Sequence, residues 1–524
     1  MQKADLIFEN GTLLTQEPAM PTAWAMAVLG GRIMAVGRAD EISALAGPAT
    51  QRVDLGGRTL VPGLIDAHAH IWKIGHLLTT MVDLRRTTSL GELTRALAPA
   101  HARLRADDWL LGRGFNEANL TERRMPTRAD LDAVVASRPV VLTRTCGHIC
   151  AVNSAALARA GVTRDTADPS GGSIDRDAQG EPTGLLHETA MGLINRHLPP
   201  PTRDEYAAMI TVALKHQLAL GITSTNDAGV SPELLAVYRW MDRARALPSR
   251  VNVMALRKVD GVGVVPLPEH HVSDRLRVDT VKFLADGGLS GATAALSVPY
   301  RHADTRGVLH IEAAELLALA REAHDAGLRV ATHAIGDVTI DQVLDVYEAL
   351  GAGPMRHRIE HFGLPSAAQI ARAAQLGVIA APQTIFLHEL GRNFRAYIPD
   401  VLFGRTYPVR AMLDAGMTVA LSSDAPVVEN DNPLQGMRAA IDRADGQGEA
   451  ILPEQGITAA EALYAYTMGG AIASGDDENR GSLRAGKWAD VVILSGNPLA
   501  TPTHELPSLH VDATWLGGAL AYER

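Results

Sequence analysis

Between residues 202 and 424 the chain repeats one cycle: a helix-like stretch, a glycine, then a short apolar run. Helix-like stretches at 205–220, 313–326, 366–376 and 408–415 stop at Gly221, Gly327, Gly377 and Gly416, and a strand-like run follows each at once. A glycine just past a helix takes the left-handed backbone that ends it. Parallel strands need such crossover helices between them. Strands are expected at 222–225, 251–256, 280–284, 328–332, 358–360, 378–381 and 418–422, and an apolar run at 59–65 makes eight. Eight parallel strands alternating with helices belong to the α/β class and specify a (β/α)8 TIM barrel. Its chemistry sits at the strand C-terminal ends.

The two ends of the chain read differently. Short strand-like runs at 6–8, 25–29 and 32–36 are punctuated by Asn10-Gly11 and Gly30-Gly31, and the second pair of runs has the pattern of a hairpin. Similar material returns at 481–494 and 511–516, followed by Gly517-Gly518 and a last strand. The expected organisation is a small β-sandwich domain built from residues 1–58 and 478–524, with the barrel, 59–477, between them. Residues 71–200 lack regular alternation. They hold strand-like runs at 109–115 and 139–145 and a loop signal at 168–172, and read as an insertion over the barrel mouth.

A net charge of −10 with no basic cluster argues against nucleic acid or an anionic membrane as partner. The two cysteines, Cys146 and Cys150, are too few for a disulfide framework and suit a reducing compartment. Residues 1–8 read as a strand, not a signal peptide, and no apolar run has membrane-spanning length, so a cytoplasmic protein is expected.

The chemistry-bearing residues collect at strand ends. His68 and His70 alternate in an extended run and so share one face, where two neutral imidazoles can hold a divalent metal. His333, His361 and Asp424 end later strands. Lys282 occupies a barrel-strand position where apolar side chains are normal, and a buried lysine needs a partner.

These residues carry a family resemblance. The matching pieces are Pro62 through His70, Val281 through Gly287, His333-Ala334-Ile335-Gly336-Asp337, Arg358-Ile359-Glu360-His361 and Ser423-Asp424-Ala425-Pro426. The chain resembles the amidohydrolase superfamily of metal-dependent hydrolases, in its large YtcJ-like branch (amidohydrolase family 3), which includes N-substituted formamide deformylases. Gly481 through Asp490 resembles the family's return to its β-sandwich domain, and Gly147-His148 through Asn153-Ser154 looks typical of the branch. The resemblance implies that His68, His70 and Asp424 bind one ion and that His333 and His361 bind another. It further implies that Lys282, carbamylated by carbon dioxide, bridges them. Two ions would turn a shared water into a bridging hydroxide and polarise the scissile carbonyl. Asp424 would carry the proton to the leaving nitrogen. Zinc suits this donor set best, with manganese and iron as alternatives.

Several residues keep two readings. His148 either holds the substrate carbonyl as a catalytic residue or is a partly buried loop histidine. Cys146 and Cys150 flank it without a fourth zinc ligand and read as buried thiols. Asp286 and Asp337 either fix substrate or, as the preferred reading, give hydrogen-bonding support or cap helices; Arg113 and Glu117 are candidates to face the cavity without a physical argument. The function expected is hydrolysis of the C–N bond of a small-molecule amide. Deamination of a cyclic amidine on the same scaffold and a non-catalytic binding scaffold are the alternatives. Specificity is expected from the insertion and the loop 383–393; a homo-oligomer is left open.

Overall fold

The architecture is that of a computed structural model, which describes residues 2–105, 108–145, 147–169, 171–259, 263–351 and 353–524. They form two units, one of residues 1–71, 214–425 and 430–524, the other of 72–213 with 426–429.

The first unit contains the barrel. Seven parallel strands stand side by side in chain order: Leu64–Ala69, Ile222–Val230, Arg250–Leu256, Leu276–Leu284, Arg329–Ala334, Arg358–His361 and Ile379–Ala381. The fold expected from the alternation is therefore present, with two corrections. The run 59–65 is not one strand. Thr59–Pro62 pairs with strands from both chain ends, and the first barrel strand begins only at Leu64. Gly63 makes the break: its N–H donates to Asp490, and a Cβ there would lie 2.1 Å from Thr223 Oγ1.

The eighth strand is also not a regular one. Its place is taken by the extended segment 418–424, which has a single bridge, Ala380 to Val419. The seventh strand offers only three residues to pair with. The segment still closes the ring, since Ala420 N donates to Ala380 on one side and Asp424 N donates to His68 on the other.

The glycine stops hold: Gly221, Gly327, Gly377 and Gly416 all have positive φ, between 66° and 80°. The helices they follow, among them Ala313–Asp325, Ala367–Gln375 and Val409–Asp414, place Leu316, Ala320, Ile370, Ala373 and Met412 in the main core. Each fully buried aliphatic side chain there contributes about 1.5–3 kcal/mol.

The chain ends form two further sheets in the same unit. One has four strands, ordered Arg32–Gly37, Ala25–Leu29, Leu6–Glu9, Gln51–Asp54. The other has six, ordered Ala519–Glu523, Val511–Leu516, Val491–Leu494, Thr59–Pro62, Thr12–Leu14, Thr22–Ala23, so it interleaves both termini. Their inner faces share one core containing Leu6, Phe8, Met26, Leu60, Ile493 and Trp515. Phe8 meets Trp515 edge-on with ring centres 5.2 Å apart.

The second unit is built on its own six-stranded sheet, ordered Gly172–Arg176, Pro182–Glu188, Ile149–Val152, Val140–Arg144, Leu110–Phe115, Val82–Asp83. Alternate residues feed two cores. Val141, Cys150, Val152 and Leu186 pack on one face; Val140, Leu142, Ala151 and Leu185 pack on the other. Cys150 is a free, buried thiol that burial pushes up to about 12, while Cys146 lies outside the described residues. Among the described residues no helix is long and apolar enough to cross a membrane.

Candidate metal centre

The site is assembled from the C-terminal ends of the barrel strands. His68 is the fifth residue of Leu64–Ala69, a strand buried along its whole length, and His70 follows one residue after its end. Asp66, two positions earlier, fastens this strand to the closing segment. It accepts from Ser423 Oγ at 2.5 Å and from Ser423 N at 3.1 Å. Burial pushes its carboxyl up to about 7, against those hydrogen bonds. Asp424 is thereby brought beside the two histidines, and the ligand atoms of His68, His70 and Asp424 all lie within 4.8 Å of one another.

Hydrogen bonds set the ring tautomers. His68 Nδ1 lies 2.5 Å from Glu360 Oε2, His70 Nδ1 lies 2.8 Å from the Ala228 carbonyl, and His361 Nδ1 lies 2.6 Å from Gln383 Oε1. Each partner accepts, so each ring carries its proton on Nδ1 and keeps an Nε2 lone pair. The Gln383 amide is itself oriented, since its Nε2 donates to Ala381 and Ser422 at 2.8 Å. His333 is reversed: its Nε2 donates to the Gly287 carbonyl at 3.1 Å, which leaves Nδ1 with the lone pair. The rings form a chain, with centres 5.7 Å apart for His70 and His68, 4.9 Å for His68 and His361, and 4.3 Å for His361 and His333.

Electrostatics favour the same protonation states. Burial, with Lys282 nearby, lowers His68, and burial with His333 holds His361 well below the ordinary histidine range. Both rings are therefore neutral, as metal ligands must be. Burial raises the Asp424 carboxyl, and a proton on His70, His68 or His361 beside it would bring it far below its usual range. Lys282 is 1% exposed, and burial brings its amine down to about 8 although Glu360 and Asp424 pull the other way.

Two atoms in this site are orphaned. Lys282 Nζ and Asp424 Oδ1 are both buried and make no hydrogen bond among the described residues. Asp424 Oδ1 lies 3.1 Å from His70 Nε2 and 3.5 Å from His68 Nε2, but without hydrogen-bond geometry. His361 and Asp424 also hold left-handed backbone, with φ of 70° and 55°. That conformation is uncommon for residues other than glycine and costs about 1 kcal/mol or more at each position.

Reasoning from sequence missed Glu360 and its partner. Glu360 is wholly buried and paired with Arg358, Nε to Oε1 at 2.6 Å. Burial would raise its carboxyl; Arg358, Lys282 and His68 instead hold it well below the usual range. Arg358 spends all five of its donors on Glu360, Asn226, Ala473 and Ala67. The available signal was a pair of opposite charges two residues apart, hence on one face, in a strand that lines a barrel.

The remaining candidates fall in different places. Asp286 accepts from Ile335 N, Gly336 N and Thr339 Oγ1 at 2.8–3.1 Å, so it anchors the start of the helix Asp337–Leu350. Asp337 accepts from Ser297 N and Oγ. The expected loop 383–393 is largely helix, Ile385–Tyr397, because Thr384 is followed by an uninterrupted amphipathic run. His148 belongs to the second unit, where its Nδ1 lies 2.8 Å from Glu188 Oε2, and Glu117 there pairs with Arg144 at 2.7 Å.

Comparison with known proteins points the same way. The profile of a family described as the amidohydrolase family matches residues 51–522. The chain is similar to the N-substituted formamide deformylase of Arthrobacter pascens, 31% identical over 100% of this chain and 99% of that one. It is also similar to the protein LONG AFTER FAR-RED 3 of Arabidopsis thaliana, 32% identical over 99% of this chain and 92% of that one. Among solved structures, an uncharacterized metal-dependent hydrolase from Pyrococcus horikoshii OT3 superposes with a TM-score of 0.79. It is 27% identical, and the match covers 95% of this chain and 99% of that one.

Proposed function

The chain belongs to the amidohydrolase family and is a hydrolase of carbon–nitrogen bonds, and on that premise we propose that it cleaves a small-molecule amide at a centre of two divalent ions, most suitably zinc. His68, His70 and Asp424 would hold one ion, His333 and His361 the other, with Lys282 between them. The observation that carries the reading is the orphaned pair, Lys282 Nζ and Asp424 Oδ1, both interacting with the buried rings of His68 and His361. A buried polar atom without a partner costs about 1–3 kcal/mol, and a bound cation beside Asp424 Oδ1 would offset that cost. Four imidazole nitrogens and a carboxylate are the donor set that divalent zinc takes.

Bound there, divalent ions supply Lewis acidity, bringing the pKa of a water toward neutrality and polarising a carbonyl. The chain's own groups do the rest. Asp424, beside the Nε2 atoms of His68 and His70, takes a proton from the attacking water and returns it to the leaving nitrogen. Glu360 and Gln383 hold the His68 and His361 rings in the protonation state that leaves Nε2 open. Lys282, with its amine near 8, has an appreciable neutral fraction at neutral pH. The neutral amine nitrogen bonds to the carbon of carbon dioxide and gives up one proton to water, leaving a carbamate anion where the protonated amine would be a cation. The role assigned to His148, holding the substrate carbonyl, rests on the Gly147-His148 motif.

The test is a product screen on metal-loaded protein with N-substituted formamides, N-acyl amino acids, cyclic amides and cyclic amidines. The expected result is release of an amine together with a carboxylate. Ammonia released from the amidines, with no amide turned over, would replace this reading with deamination.

A further inference from the structure

At the opposite end of the barrel from the metal centre lies a cavity of about 190 Å³ that the hydrolytic site does not use. It opens at the N-terminal ends of the strands Arg250–Leu256 and Leu276–Leu284, against the segment that returns to the terminal sheets. The run from Leu276 to Lys282 along one strand puts it roughly 20 Å from the centre at 3.3 Å per residue. Its charged wall is made by Arg32, Asp274, Arg275, Arg277, Asp476 and Arg480. The volume is below the ~300 Å³ at which pockets for drug-sized molecules begin, so an occupant must be small.

The pairing of its arginines is incomplete. Arg277 is tied to Asp279 at 2.5 Å, Arg480 to Asp476, and Arg250, just behind the wall, to Asp490 at 2.6 Å. Arg32 and Arg275 have no carboxylate partner of this kind among the described residues. Arg32 donates to the Gly486 carbonyl at 2.7 Å and lies over the Trp488 ring, 4.0 Å from its centre. Arg250 lies over the same ring at 4.6 Å. Arg275 has a single side-chain hydrogen bond, 3.3 Å to the Pro248 carbonyl; burial together with Arg250 lowers its guanidinium, against the pull of Asp490 and Asp274. A guanidinium carries five donors, so both side chains keep several in hand. Arg480, 6% exposed, gives the cavity a rigid floor.

We propose that this cavity is a second ligand site, taking a small divalent oxyanion of the phosphate class between Arg275 and Arg32. Arg32 and Arg275 face one wall carboxylate outside an ion pair among the described residues, Asp274, so the wall stays positive, and their planar forks match the oxygens of such an anion. The site lies on the barrel face that carries no strand-end chemistry, so it is separate from hydrolysis.

The experiment is calorimetric titration of the metal-loaded full-length protein with inorganic phosphate, against sodium chloride and acetate of equal ionic strength. Saturable binding of phosphate alone is expected, weakened about tenfold or more in Arg275→Ala and in Arg32→Gln, the loss of a charge-assisted contact. Amide hydrolysis should be unchanged in both variants. Arg275 is half-buried and its removal unpairs no aspartate, so Arg275→Ala decides the matter even if Arg32→Gln does not fold. Absence of phosphate binding overturns the proposal. So does binding of undiminished strength in Arg275→Ala, which would place the anion elsewhere, including at the metals.

Discussion

Replacing Lys282 with alanine should lower hydrolysis by about 10³-fold, a loss of ~4 kcal/mol of transition-state stabilisation. The expectation follows from where the residue stands. Its strand carries it into the barrel interior, its amine is buried without a hydrogen bond among the described residues, and Glu360 and Asp424 pull on it electrostatically. A free ammonium there would be repelled by any bound cation and is already stripped of water. In the proposed centre the carbamate supplies the two anionic oxygens that the alanine variant lacks. A small carboxylate in the buffer should therefore restore part of the lost rate, and native protein reconstituted from metal-free form should recover faster with bicarbonate than under gas free of carbon dioxide. A Lys282→Ala enzyme of undiminished rate, or one indifferent to carboxylate and bicarbonate alike, would remove the bridge from the mechanism.

Asp424→Asn should lower kcat by a further large factor of its own, about 10³-fold, within the range typical of a positioned acid–base group. Asparagine keeps the shape and one oxygen but loses both the charge and the ability to take a proton. The effect should fall on kcat more than on KM, because the group acts on the proton in flight and not on the substrate at rest. The left-handed backbone at this residue should tolerate asparagine, so a folded variant is expected. Circular dichroism with kinetics on the same preparation separates the outcomes; a variant that is folded and metal-loaded with unchanged kcat would take Asp424 out of proton transfer.

The parts of this molecule that were legible in its sequence are those that repeat or alternate. Helix stops at Gly327 or Gly377 announce themselves because one residue type fits the backbone there. His68 and His70 could be put on one face because strand geometry has a period of two. The join at Gly63 was not legible, since apolar residues on either side of it serve two different sheets and pattern alone does not divide them. The closing segment 418–424 reads as a strand by composition, yet it pairs with a three-residue neighbour and turns left-handed at Asp424, next to Ser423, which Asp66 fastens. The sheet of residues 82–188 was partly hidden for another reason: both its faces are covered, so apolar residues run on without alternating with polar ones. In the site, His-x-His advertises itself, whereas Arg358 and Glu360 look like any surface pair until the strand is known to face inward. Gln383 is similar: its meaning comes from His361, twenty-two residues away.

The most direct test of the central claim is a metal count. Full-length protein prepared without chelator and loaded with zinc should contain close to two ions per chain by elemental analysis. Amine release from a small amide should rise as the second ion is added and vanish on complete removal. Full activity in protein stripped of metal, or a saturated content of one ion at full activity, would contradict the two-ion centre built on Lys282.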